Sequence, residues 1–168
     1  IEELKRISYQ GLPDIRVISF YGVPIMAMTR LPTKQSMGRG NLHQGAVGLG
    51  LKISDGSVTG AIQKNKLITK HPDFDISILD LKIPNWKEVL CLSTKCSDLV
   101  NIKYLGVDIV LDPVKGPMLL EMNARPGLSI QLANKAGLVP RLAKVSAYLK
   151  QNPDMTLEQK VQLGIDLF

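Results

Sequence analysis

Three pairs of short apolar runs, each pair split by a turn signal, constrain this chain more than any other feature. DIRVISFY, residues 14–21, alternates with period two: Asp14, Arg16, Ile18 and Phe20 share one face, and Ile15, Val17, Ser19 and Tyr21 the other. Gly22 separates it from VPIMAMTRL, where Met26, Met28 and Arg30 share a face. AVGLGLKIS and SVTGAIQ flank Asp55-Gly56, a strong hairpin dipeptide. GVDIVLD and GPMLLEMN close around Pro113-Val114-Lys115-Gly116. Three hairpins predict a mainly antiparallel sheet.

The remainder reads as helix and loop. Residues 70–84 are irregular, with His71-Pro72 and Ile83-Pro84 holding the residue before each proline out of helical geometry. Trp86, Val89, Leu90, Cys96, Leu99 and Val100 then form a helical stripe, with Asn85 as its cap. A short helix is expected over 128–136, stopped by Gly137. Another follows with Pro140 in its first turn, to about residue 150, and Thr156 with Gln159 forms a capping box for the last. Strands, one helix, strands, then helices predict an α+β fold with flanking helices rather than βαβ repeats.

Composition narrows the function. With 168 residues, 45% of them hydrophobic, the chain can bury a core without staples. Cys91 and Cys96 lie five apart on the predicted helix with no metal-ligand spacing, so free thiols in a reducing compartment are expected. No run reaches membrane-span length, and IEELKR lacks the order of a signal peptide, so the expected location is cytoplasmic and no membrane partner is expected. The net charge of +6 is scattered apart from Lys64, Lys66 and Lys70, and only 5% of residues are aromatic, so nucleic acid is not the expected partner. Positive charge suits a nucleotide and an acidic substrate equally well. The chain starts without Met in what reads as a helix or its exit, and is expected to be part of something longer.

Chemistry concentrates in the third hairpin. If it turns symmetrically about Val114 and Lys115, Leu111 meets Met118 and Asp108 meets Glu121. Opposed carboxylates are destabilising unless something positive lies between them. Asn123, two residues beyond Glu121, adds a neutral oxygen to the same face. An Asp, Glu and Asn set without His or Cys suits magnesium. The alternative is two carboxylates facing water at strand ends, although both sit inside apolar runs where an unpaired charge is costly to bury. The polar stretch GRGNLHQGA, residues 38–46, fits neither strand nor helix and demands a reason of its own.

These residues resemble the ATP-grasp ligases, particularly the branch of ribosomal-protein glutamate ligases and related α-L-glutamate ligase-like proteins. The resemblance rests on a strand Asp, Asp108, followed by Glu121-Met122-Asn123 and Pro126-Gly127, and on Arg39-Gly40-Asn41-Leu42-His43-Gln44-Gly45. It implies the C-terminal lobe of that fold over residues 1–138, with the nucleotide-clamping N-terminal lobe absent and 139–168 a helical extension. It implies an ATP- and magnesium-dependent carboxylate–amine ligase acting through an acyl phosphate, with manganese as an alternative metal. The partners would be ATP and a small carboxylate, amino-acid or peptide substrate. Asp108, Glu121 and Asn123 would hold metal; Arg16, Asn41 and Asn123 would contact nucleotide; Arg30 and Arg39 would be catalytic. Arg125 stands where many relatives have a small residue, and the roles open to it are a contact with a phosphate or a substrate carboxylate, or holding the loop. A non-catalytic binding module and, behind it, a basic nucleic-acid binder are the competing readings. His43 is expected to order its loop; Met26, Met28 and Met118 to fill core; Trp86 to pack helix on sheet; Gly127 to serve backbone geometry; and Asp73, Asp75 and Asp80 to be solvated. The segment with Lys70 and His71 is a substrate loop or a plain connector.

Overall fold

A computed structural model describes residues 6–74 and 76–168. The first five residues of the expected helix or helix exit at the chain's start, and the expected solvation of Asp75, lie outside the described residues.

The first hairpin joins β1 (Asp14–Phe20) to β2 (Val23–Leu31) through Tyr21 and Gly22, at φ 50° and 79°. Two left-handed residues give a turn whose twist matches that of the strands. β3 (Val47–Leu51) and β4 (Val58–Gln63) enclose Asp55-Gly56 as predicted. There the Asp55 carboxylate accepts from the Ser57 hydroxyl at 2.7 Å and its N–H at 3.1 Å, bonds that lower its pKa to about 2. A further two-residue strand, β5 (Lys66–Leu67), was not expected. It follows a second left-handed pair, Lys64 and Asn65, that no glycine marks.

α1 (Trp86–Val100) buries Trp86, Val89, Leu90 and Cys96 of the predicted stripe, but Leu99 near its end is exposed, and Asn85 does not cap the helix: the residue is left-handed at φ 53°, and its side chain makes no capping bond. The Trp86 indole donates to the Ile53 carbonyl at 2.7 Å, anchoring helix to sheet as expected. β6 (Tyr104–Asp112) and β7 (Gly116–Asn123) form the third hairpin with a corrected register. Leu111 meets Pro117 instead of Met118, because the turn holds three residues, with Gly116 left-handed and the Asp112 side chain accepting from the Val114 and Lys115 N–H groups. A bulge between Asp108 and Ile109 then adds one residue on β7 and restores the predicted pairing of Asp108 with Glu121. The two offsets cancel.

α2 (Ile130–Asn134) is shorter than expected and stops at Lys135, left-handed at φ 51°; Gly137 instead precedes α3 (Leu138–Gln151). α4 (Leu157–Leu167) opens on the predicted Thr156–Gln159 capping box. The fold is α+β, with one seven-stranded antiparallel sheet in the order β5-β4-β3-β2-β1-β6-β7. α1 covers one face, where Ile15, Val17, Leu49 and Val107 meet Val89 and Leu90. On the other face Ile18, Met26 and Met28 pack against Ile130, Leu138 and Val145 of α2 and α3. Val161 and Leu163 of α4 join the two clusters respectively. α2 sits low on the sheet because Gly50 and Gly60, paired across β3 and β4, have no side chain. A Cβ on Gly50 would stand 2.4 Å from the Ala133 carbonyl oxygen.

The far edge departs from expectation. β7 is the edge strand, and Met118, Leu119, Leu120 and Met122 are exposed, so Met118 is not core filler, whereas Met26 and Met28 are buried. Gly127 has no positive φ, and an added Cβ there meets open space, so the backbone does not require glycine. Cys91 and Cys96 are free thiols, and among the described residues no helix is long and apolar enough to cross a membrane.

Candidate functional site

The pairing that builds the sheet also sorts its charges. Asp14 lies opposite Arg30 across β1 and β2, Arg16 opposite Asp108 across β1 and β6, and Asp108 opposite Glu121 across β6 and β7. Period two puts all five on the face that α2 and α3 leave partly open. Acid and base alternate from strand to strand until Glu121. The positive charge that opposed carboxylates require is therefore supplied first by arginine.

Asp108 is fully buried and accepts from Arg16 Nε at 2.7 Å and Nη2 at 2.6 Å, one bond to each oxygen. Arg30 Nη2 adds a third bond, at 2.8 Å to Oδ2. Arg30 also donates to Asp14 through Nε, at 2.9 and 3.0 Å to its two oxygens, and through Nη2. Burial raises the pKa of Asp108, but the hydrogen bonds and charges of Arg16 and Arg30 outweigh it and hold the carboxyl below its ordinary value. At Asp14 burial, joined by the charge of Asp108, outweighs Arg30 and the more weakly felt Arg16, and the pKa is raised. Arg30 is pushed above its ordinary value despite burial, because two carboxylates face it.

At the rim, Glu121 is exposed and accepts from Asn123 Nδ2 at 2.8 Å, while Arg16 Nη2 lies 3.9 Å away. A cavity of about 460 Å³ opens here, walled by Arg16, Arg30 and Glu121 and, opposite, by Asn41 and His43 of the polar loop. The loop's form follows from local bonds. The Asn41 side chain accepts from the His43 N–H at 2.9 Å and starts a 3-10 turn, Leu42–Gln44, which ends at Gly45 with φ 104°. The Thr33 hydroxyl and Gln63 amide both donate to the Gly45 carbonyl at 2.9 Å and tie the loop to the sheet. The loop's order thus comes from the Asn41 side chain and the His43 backbone.

Of the residues singled out from sequence, Arg16, Arg30, Asn41 and Glu121 come together around the cavity, with Asp108 beneath and Asn123 beside Glu121. Arg39 does not line it: its side chain is exposed and reaches only toward Gln44, at 3.5 Å. Asp14 was missed as a site residue. Its signal was present, since it shares a face with Arg16, but only the strand pairing reveals its partner. Leu12, Leu120 and Ser129 also line the cavity.

Among the described residues no group of three His, Cys, Asp or Glu side chains is arranged to hold a metal ion. Both Asp108 oxygens already accept from guanidinium groups, whereas Glu121 has exposed oxygens beside the Asn123 amide. Magnesium commonly takes one or two carboxylates and completes its shell with water and phosphate oxygens. Glu121 with Asn123 fits that habit, and Asp108 is the less available member.

The sequence profile of the family described as "Sugar-transfer associated ATP-grasp" matches residues 1–147. No curated protein matches the chain. Among solved structures, eleven chains match. One is described as "Structure of ATP-grasp ligase PsnB complexed with minimal precursor", at 16% sequence identity and a TM-score of 0.41, covering 80% of this chain and 34% of that one. The chain thus spans about a third of the length of that solved relative. The family match extends over every strand of the sheet and over the loop and rim residues of the cavity, so this chain belongs to the sugar-transfer associated ATP-grasp family, and with it to the ATP-grasp superfamily.

Proposed function

We propose that this chain carries the phosphate- and metal-facing part of an ATP- and magnesium-dependent carboxylate–amine ligase. The observation that carries the reading is the meeting of Arg16, Arg30 and Glu121 with Asn41 around one cavity, on a chain of this superfamily. In such a reaction a carboxylate oxygen attacks the γ-phosphorus of ATP, the bond to the ADP oxygen breaks, and an acyl phosphate forms. An amine then attacks the acyl carbon and phosphate leaves. Charge on the transferred phosphoryl group is what needs stabilising.

Arg16 and Arg30 suit that task because each is bound along its Nε–Nη2 edge and keeps a third nitrogen, Nη1, that makes no bond to Asp108 or Asp14. Glu121 and Asn123, with Asp108 behind them, would hold magnesium, whose role when bound is to neutralise phosphate charge. Asn41 would contact phosphate from the loop. Arg39 would take part only if the loop turned it toward the cavity. A glutamate-ligase-like specificity, with an amino-acid or peptide acceptor in the cytoplasm, is the finer reading. The description of the matching family adds a sugar carrying an amine or carboxyl group to the substrates worth testing.

Hydroxylamine intercepts an acyl phosphate as a hydroxamate. In a panel of carboxylic acids, the protein is expected to form a hydroxamate with one class of acid only in the presence of ATP and magnesium. Arg30→Ala and Glu121→Ala should each lower that rate at least about 100-fold, the size seen when a transition-state charge contact is removed. ATP hydrolysis without hydroxamate from any acid would count against the ligase reading.

A further inference from the structure

The two arginines of the cavity wall are each held along the same edge, Nε and Nη2, but by different carboxylates. Arg16 is held by Asp108, which also takes a bond from Arg30. Asp14 is bound through its side chain to Arg30. It is only 4% exposed, in a place where a carboxylate without a partner would be costly. The polar loop rests directly on this pair: a Cβ on Gly40 would stand 3.0 Å from Asp14 Oδ1 and 3.6 Å from Arg30 Cβ. Gly40, Asp14 and Arg30 therefore form one stack, from the loop down to the sheet. An arginine side chain has much rotamer freedom to lose when it meets an anion, and one immobilised beforehand loses less.

We propose that Asp14 is a positioning residue: it fixes the Arg30 guanidinium by its Nε–Nη2 edge, leaving Nη1 for the cavity, and couples that orientation to the loop around Gly40. The consequence for ligand binding rests on the phosphate-facing role given to Arg30 above, whereas the positioning itself does not. Asparagine in place of Asp14 is the informative change. With its oxygen in the place of Oδ2 it still meets Nε and Nη2, but its amide nitrogen, in the place of Oδ1, sets donor against donor at Nε, so the hold on Nε is weakened.

The Nε–Hε resonance of Arg30 in the ¹⁵N-labelled protein, assigned by its absence in Arg30→Lys, reports the hold directly. In Asp14→Asn its exchange with water is expected to speed up about tenfold or more, and in Gly40→Ala the same resonance should shift, because Asp14 cannot yield without moving Arg30. Affinity for magnesium tripolyphosphate should fall about tenfold in Asp14→Asn and hardly further in the double variant with Arg30→Lys, as expected when two residues act as a unit. Unchanged Hε exchange in Asp14→Asn would overturn the proposal, as would an equal loss of affinity whether residue 30 is Arg or Lys. If Asp14→Asn does not fold, an unmoved resonance in Gly40→Ala overturns it alone. Should Arg30→Lys bind tripolyphosphate as well as the parent while Hε still responds to Asp14→Asn, the phosphate-facing role of Arg30 fails and the positioning stands.

Discussion

Removing the carboxylate of Asp108 would leave Arg16, itself buried, with the distant oxygen of Glu121, 3.9 Å away, as its one remaining acidic partner within 4 Å among the described residues. A buried charge that loses its partner typically costs about 3–5 kcal/mol. Asp108→Ala is therefore expected to lower unfolding stability by that order in a denaturant titration. Glu121→Ala removes an exposed side chain and should change stability by less than about 1 kcal/mol. Similar, small losses in both would mean that the arginine network does not hold the sheet together. The contrast separates structural from ligand-facing carboxylates, which sequence alone treats alike. Asp108 and Glu121 were legible as an opposed pair because strand period and an approximate turn suffice for that. Asp14 was not, because its partner lies on another strand, and Arg39 was misplaced because a loop's path is set by local bonds such as Asn41 to His43.

Among the elements, hairpins were the most readable and their details the least. Asp55-Gly56 announces its turn by chemistry, whereas Lys64-Asn65 adopts the left-handed pairing of Tyr21-Gly22 without a glycine, so β5 stayed hidden. The three-residue turn and the bulge in β6–β7 offset each other, which is why a wrong turn still predicted the right carboxylate pair. Gly50 marks a close approach that periodicity cannot show. Gly50→Ala should force the Ala133 backbone away and destabilise by about 1–3 kcal/mol, with faster hydrogen exchange in α2, while Gly127→Ala should be nearly neutral. No change in α2 exchange would contradict the packing described. The segment after β5 carries another signal, because His71 is buried, its Nε2 has no hydrogen-bond partner among the described residues, and burial lowers its pKa despite nearby Asp73. Below pH about 6.5 the unfolded chain binds a proton that folded His71 resists, so stability should fall as pH drops from 7 toward 5. His71→Gln should flatten that slope; an equally steep slope would place its origin elsewhere.

For the whole molecule, the antiparallel α+β plan followed from three turn signals and one helical stripe, and the sheet order brought the quoted motifs to one face. What the sequence could not show is which side of the sheet stays open, because that depends on α2 settling over the glycines of β3 and β4. The exposed apolar residues of β7 were equally hidden, since an edge strand and a central strand can carry the same run. The central claim is that Arg16, Arg30, Glu121 and Asn123 face one bound nucleotide–metal complex. Calorimetric titration of magnesium with an unhydrolysable ATP analogue, on the parent chain and on Glu121→Ala with Asn123→Ala, tests it most directly. Binding by the parent that is weakened at least about tenfold in the double variant, a loss of about 1.4 kcal/mol, is the predicted result. Equal affinity in both proteins would contradict it.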